Sequence, residues 1–224
     1  IPWGESSDAY FKLIMFDKSR NIKKAFYPQR LDNYNSKKNP YSIKKVDGEV
    51  RIVSADLAMR RGDSNDNTIL SCIRCLPTSD GYQREISYME SHSGANSFIQ
   101  ALRIKQLFYD FESDYFVIDI ANNGISIFDD LGLVTKDDDR GIEYPAWTIM
   151  YTKDMDDKTY QELKERTISR NAEEVIYPIS ATARLNNDIA VDFRDKLQKR
   201  KISFLISEVE ADDYLITNNQ DYMK

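Results

Sequence analysis

Two aspartates each close a short apolar run. Asp56 follows Ile52-Val53-Ser54-Ala55, and Asp119 follows Tyr115-Phe116-Val117-Ile118. A carboxylate at the tip of a buried strand is costly unless something pairs with it. A single aspartate there is ordinarily a turn or capping residue. Two at matched positions raise a sharper possibility. On neighbouring strands they would lie within a few ångströms, where like charges raise each other's pKa or recruit a cation. Hard Mg²⁺ or Mn²⁺ ions bridged by carboxylates answer that need. Two such metals about 3.5–4 Å apart can activate water and stabilise the leaving oxygen of a phosphodiester.

The surrounding pattern supplies elements that could position the pair. Runs at 48–56, 67–76 and 82–91 are joined by short turns and predict an antiparallel meander. Residues 95–111 place Ile104, Leu107, Phe108 and Phe111 on one helical face, with Asn96 or Ser97 as the cap. The run 115–119 reads as a buried parallel strand. A helix begins after Asn122-Asn123-Gly124. Further on, 143–152 reads as a strand, 156–171 as a polar helix and 174–180 as a strand. Residues 185–201 form a helix with Ile189, Phe193 and Leu197 four apart, and 202–207 is a last apolar run. A right-handed crossover from the meander through helix 95–111 puts strand 115–119 beside strand 48–56. Both strand ends then face one crevice, where open α/β sheets bind ligands.

Composition sets the class. The chain has 224 residues, 41 % hydrophobic and 30 % charged, with a formal charge of −6. This suits one soluble domain with an arm. The negative balance argues against nucleic-acid adhesion through bulk charge, though not against a local basic groove. No apolar run approaches the roughly 18 residues a membrane helix needs. The start "IPWGESSDAY" has no signal-peptide pattern and no initiator Met, so the chain is expected to be excised from a longer one and not secreted. Residues 1–45 show no sustained period and read as an N-terminal arm or linker, with the domain at 46–224. Cys72 and Cys75 form a C-x-x-C, but a zinc site needs about four ligands and His92 is the only histidine. Two reduced, buried cysteines are expected. His92 is expected to be structural or exposed.

The stretches "VSADLAM…GDSNDNTI" and "YFVIDIANNGISIFDDL" resemble the first and second motifs of phage terminase large-subunit nuclease domains. "GANSFIQALRIKQLFYDF" is similar to the helix between them. The resemblance runs over roughly 46–210 and is closest from 50 to 131. It implies an α/β fold of the ribonuclease H-like kind, with a mixed central sheet flanked by helices. It also implies metal-dependent cutting of concatemeric double-stranded DNA during genome packaging, with two divalent ions, Mg or Mn. The implied partners are double-stranded DNA, the terminase small subunit, the portal protein and an ATPase domain of the same full-length chain, in the host cytoplasm during virion assembly. No membrane is implied.

Carried over by residue, Asp56 matches the first acid and Asp119 the second. Asp66 matches an acidic loop position that assists the site or serves the turn, and Asp63 reads as a loop residue. Asn122, Asn123 and Gly124 match the turn that starts the next helix close to the metals. Asp129 and Asp130 read as solvated charges. The family also uses a third carboxylate. Asp188, Asp192, Asp212 and Asp213 lack its setting, so the third acid is expected beyond Lys224. No G-x-x-x-x-G-K-[ST] occurs.

For DNA phosphates, Arg60 and Arg61 beside Asp56 are the first candidates. Arg103 with Lys105, and Lys199-Arg200-Lys201, come after them. Each cluster alone reads equally as a solvated face. Alternatives are a resolvase or other nuclease of the same superfamily, or a non-catalytic domain that docks DNA or portal. An actin-like ATPase needs phosphate-binding glycine loops that this sequence lacks.

Overall fold

Strand alternation decides which faces meet. The computed structural model describes residues 9–36, 39, 42–57, 67–92, 96–120, 124–152, 155–180 and 182–212. In chain order the elements are α1 (Leu13–Asp17), β1 (Arg20–Ile22), β2 (Val50–Asp56), β3 (Thr68–Thr78), β4 (Gly81–His92), α2 (Ser97–Asp110), β5 (Tyr115–Asp119) and α3 (Gly124–Leu131). They continue with β6 (Thr135–Asp137), β7 (Ile142–Tyr144), β8 (Trp147–Ile149), α4 (Asp157–Arg166), β9 (Glu173–Ile179), α5 (Ala183–Gln198) and β10 (Ile202–Leu205).

Eight strands form one sheet in the order β1-β10-β4-β3-β2-β5-β9-β8, and β6 and β7 form a separate hairpin. β2, β3 and β4 are the expected meander. β5 lies parallel beside β2 and β9 parallel beside β5. In this sheet β3 alone runs against the others. This is a mixed central sheet with helices on both faces.

One face is dry. Val53, Leu70, Cys72, Phe116, Ile118 and Ile176 pack under Ala101, Ile104 and Leu107 of α2 and Ile127, Phe128 and Leu131 of α3. The α2 start is capped by Asn96, whose side chain accepts from the Ile99 N–H. The other face carries an aromatic group near β10, in which Phe16 lies 5.8 Å from Phe204 and 6.3 Å from Phe193 of α5. Cys72 is buried and Cys75 half-buried, and both thiols are free.

Two segments depart from their sequence reading. The strand expected over 143–152 is broken. Its first part, β7, pairs with β6, and its second, β8, pairs with β9. Pro145 between them has no N–H for a ladder. The stretch 1–45, irregular by its local pattern, contains α1 and β1. It also seats Phe26, 1 % exposed, against Phe111 at 4.8 Å. Long-range packing, not local period, orders it.

Charged groups tie the layers together. The Asp110 carboxylate accepts from both Arg140 terminal nitrogens at 2.9 Å and from the Gln29 N–H at 2.8 Å. Lys105 is fully buried, and its Nζ donates to the Leu133 carbonyl, Thr135 Oγ1 and the Pro145 carbonyl. Burial lowers its pKa to about 8. Glu49, its side chain wholly buried, accepts from Arg51 Nε at 2.7 Å and Arg74 Nε at 2.8 Å. Burial alone would raise the Glu49 pKa. Hydrogen bonds from Arg74, the Val46 N–H and Arg51 outweigh it and hold the value at about 2.

Glu49→Gln leaves two guanidinium groups short of their partner and should destabilise the fold by about 3–5 kcal/mol. Glu49 titrates lower in the folded chain than in the unfolded one. Its contribution is therefore present above about pH 4.5 and lost as pH falls towards 2. Urea unfolding of both proteins between pH 7 and pH 3 checks this: the gap should narrow with acid. A constant gap would contradict the assignment.

Candidate metal centre

The β2–β5 register brings the two aspartates together. Ile52 pairs with Tyr115, Val53 with Phe116, Ser54 with Val117 and Ala55 with Ile118. One further step sets Asp56 opposite Asp119. Neighbouring strands are about 4.8 Å apart, so the two tips are adjacent. Alternation then fixes the face. Val53, Phe116 and Ile118 point into the α2–α3 core. Asp56 and Asp119, at the other parity, both leave the opposite face. Asp56 is exposed and Asp119 half-buried. Among the described residues the Asp56 side chain makes no hydrogen bond or ion pair.

The strands either side hold the pair in place. Asp56 is level with Ile69 of β3, and Asp119 with Ile179 of β9. The Ile120 N–H donates to the Ile179 carbonyl at 3.0 Å. Helix α3 then begins directly against the strand end. A Cβ on Gly124 would lie 1.9 Å from the Asp119 carbonyl oxygen. Only glycine lets this helix approach so closely. The sequence expectation that Gly124 starts the helix close to the site agrees with this geometry.

Other expected residues fare differently. Arg60, Arg61, Asp63, Asp66, Asn122, Asn123 and Asp213 lie outside the described residues. Arg103 is not a free cation: its guanidinium donates to both Glu90 oxygens, at 2.8 and 2.6 Å. Lys105 is buried in the network above. Both are therefore corrected from DNA contacts to internal supports. Lys199 bonds Asp195, and Lys201 bonds Asp80. Asp129 pairs with Arg166, Asp188 with Arg184 and Asp192 with Lys196. Among the described residues no three His, Cys, Asp or Glu side chains form a cluster able to hold a metal ion. The third acid therefore stays unassigned.

A polar hub at the same end of the sheet was not foreseen. Glu90 accepts from Tyr88 Oη at 2.8 Å and from Arg103, and its Oε1 lies 2.7 Å from His92 Nε2. His92 thus has a partner on its own strand. The available signal was the two-residue spacing of Tyr88, Glu90 and His92, which sets them on one face of β4. Burial alone would raise the Glu90 pKa, but hydrogen bonds and charge from Arg103 lower it.

No described protein family and no curated protein matches the sequence. Solved structures do. The chain is similar to the large terminase nuclease of thermophilic phage G20c with bound magnesium, at TM-score 0.44 and 14 % identity, over 75 % of this chain and 64 % of that one. It thus spans just under two thirds of that nuclease's length. It is also similar to the same nuclease with bound zinc, at 0.43 and 15 %, over 78 % and 72 %. A third likeness is to the Thermus phage P74-26 large terminase nuclease domain, at 0.43 and 12 %, over 85 % and 72 %.

Gly124→Ala should force α3 away from the tip of β5. We expect a loss of about 1–3 kcal/mol, as for other overpacked sites, measured by denaturant unfolding. Unchanged stability would mean that the contact between α3 and the Asp119 carbonyl is not tight.

Proposed function

We propose that this chain is the nuclease domain of a viral terminase large subunit, cutting double-stranded DNA with divalent metal ions during genome packaging. The observation that carries the reading is the juxtaposition of Asp56 and Asp119 on one face at adjacent strand tips. The motif resemblance around those residues supports it.

The donor set fits hard cations. Two carboxylates offer oxygen ligands and a double negative charge, which suits Mg²⁺ or Mn²⁺ that keep several waters. Asp56 and Asp119 would hold the ions. Bound there, divalent metal supplies Lewis acidity and a nucleophile at neutral pH for phosphodiester hydrolysis. The chain itself supplies position. Asp119 is braced between β2, β9 and α3, while exposed Asp56 stands towards the approaching substrate. Asp66 and the arginines Arg60 and Arg61, next in sequence after Asp56, would add a ligand and phosphate contacts. The small subunit, the portal and an ATPase domain of the same chain are the partners this role calls for.

The test is plasmid cleavage with Mn²⁺ or Mg²⁺, paired with calorimetric metal titration. Asp56→Asn and Asp119→Asn should each lower metal affinity and cleavage by about 100-fold or more, since even outer-shell changes at metal sites cost 10–100-fold. Cleavage that persists in both variants would overturn the site. DNA binding without any cleavage or metal uptake by the parent would favour the docking-domain alternative.

A further inference from the structure

The charge of this chain is strongly polarised. Residues 9–46 carry eight Lys and two Arg against two Asp, whereas residues 47–224 carry 21 Lys and Arg against 33 Asp and Glu. The basic segment includes α1 and β1, and β1 is the outermost strand of the sheet. We propose that the basic strip over residues 12–24, along the open β1 edge, is a docking surface for the phosphate backbone of duplex DNA. The inference rests on the nuclease reading only for the identity of the polyanion.

Three of these cations, Lys12, Lys18 and Lys24, do not hold the segment in place. It is fastened by Phe26 in the core, by the β1–β10 ladder and by neutral groups of Gln29 and Asn39 around Asp110. Lys12, Lys18 and Lys24 are exposed, and among the described residues their side chains make no ion pair. Arg20 shares the strip, 3.8 Å from Asp17 and close enough to Glu210 to help the Ser207 hydrogen bonds lower its pKa. The field of such a molecule draws a polyanion to this edge and repels it from the acidic remainder.

Placement fits a duplex as well. β1 runs parallel to β2, so Lys24 follows β1 at the sheet end that carries Asp56. Four strand spacings of about 4.8 Å separate β1 from β2. Over that roughly 19 Å, B-DNA presents about ten phosphate charges. One duplex could rest on the strip and reach the acid pair.

A bland alternative exists: lysines on an edge strand prevent edge-to-edge association. The experiment separates the two. A triple variant, Lys12→Gln with Lys18→Gln and Lys24→Gln, is compared with the parent for duplex binding in EDTA across a salt series. A control, Lys136→Gln with Lys158→Gln and Lys164→Gln, removes the same charge elsewhere. The strip variant should lose about tenfold or more in affinity at 0.1 M salt. Its log K against log salt slope should fall by about 2 to 3, near 0.9 per lost phosphate contact. The control should stay near the parent. Equal losses in both variants, unchanged binding with new self-association of the strip variant, or parent binding to anionic vesicles but not to duplex would each overturn the proposal. EDTA removes cleavage from the readout, so a failed nuclease reading and a failed docking surface give different results.

Discussion

Four residue pairs between β2 and β5 fix the level at which both strands end. Everything at the acid pair follows from that register. A slip by one residue would send Asp119 into the α2–α3 core and Val117 with it. Such a slip is opposed by Val53, Phe116 and Ile118, which are fully buried on the dry face. The same apolar side chains that build the core therefore aim the carboxylates away from it. Hydrophobic burial and the site geometry are one constraint seen from two faces of a sheet.

The parts of the molecule that could be read from sequence are those where neighbours in the chain are neighbours in space. The meander, α2 with its Asn96 cap, and β5 all carry a local period, and each lies where that period puts it. The matched positions of Asp56 and Asp119 followed from the crossover rule and needed no distant information. The segment before β2 was opaque because its partners lie far along the chain: Phe26 meets Phe111, and Gln29 meets Asp110. The break at Pro145 was visible as a residue. Its effect was not, since β7 and β8 pair with different sheets. Arg103 and Lys105 looked like surface charges on an amphipathic helix. Only the tertiary fold shows acceptors waiting for them.

The interior is unusually rich in paired charge. Glu49 with Arg51 and Arg74 ties neighbouring strands β2 and β3, while Asp110 with Arg140 and Glu90 with Arg103 join elements from different layers. Replacing such pairs by apolar residues is often neutral for stability, so their contribution is better sought in specificity of arrangement. Here they fix how the N-terminal segment, α2 and the β6–β7 hairpin sit on the sheet. Lys105 does the same with neutral acceptors alone, joining α2 to the chain before β6 and before β8. Of these pairs, Glu90 with Arg103 lies at the end of the sheet that presents the acids, where Glu90 is level with Leu70 and Ala55.

The outermost ladder joins distant parts of the polypeptide. Arg20 of β1 pairs with Phe204 of β10, so this ladder cannot form until nearly the whole domain has been made. At ribosomal speeds of about 5–20 residues per second, β1 waits roughly 10–40 s for its partner. β1 is therefore made before the meander but can join the sheet only after β10.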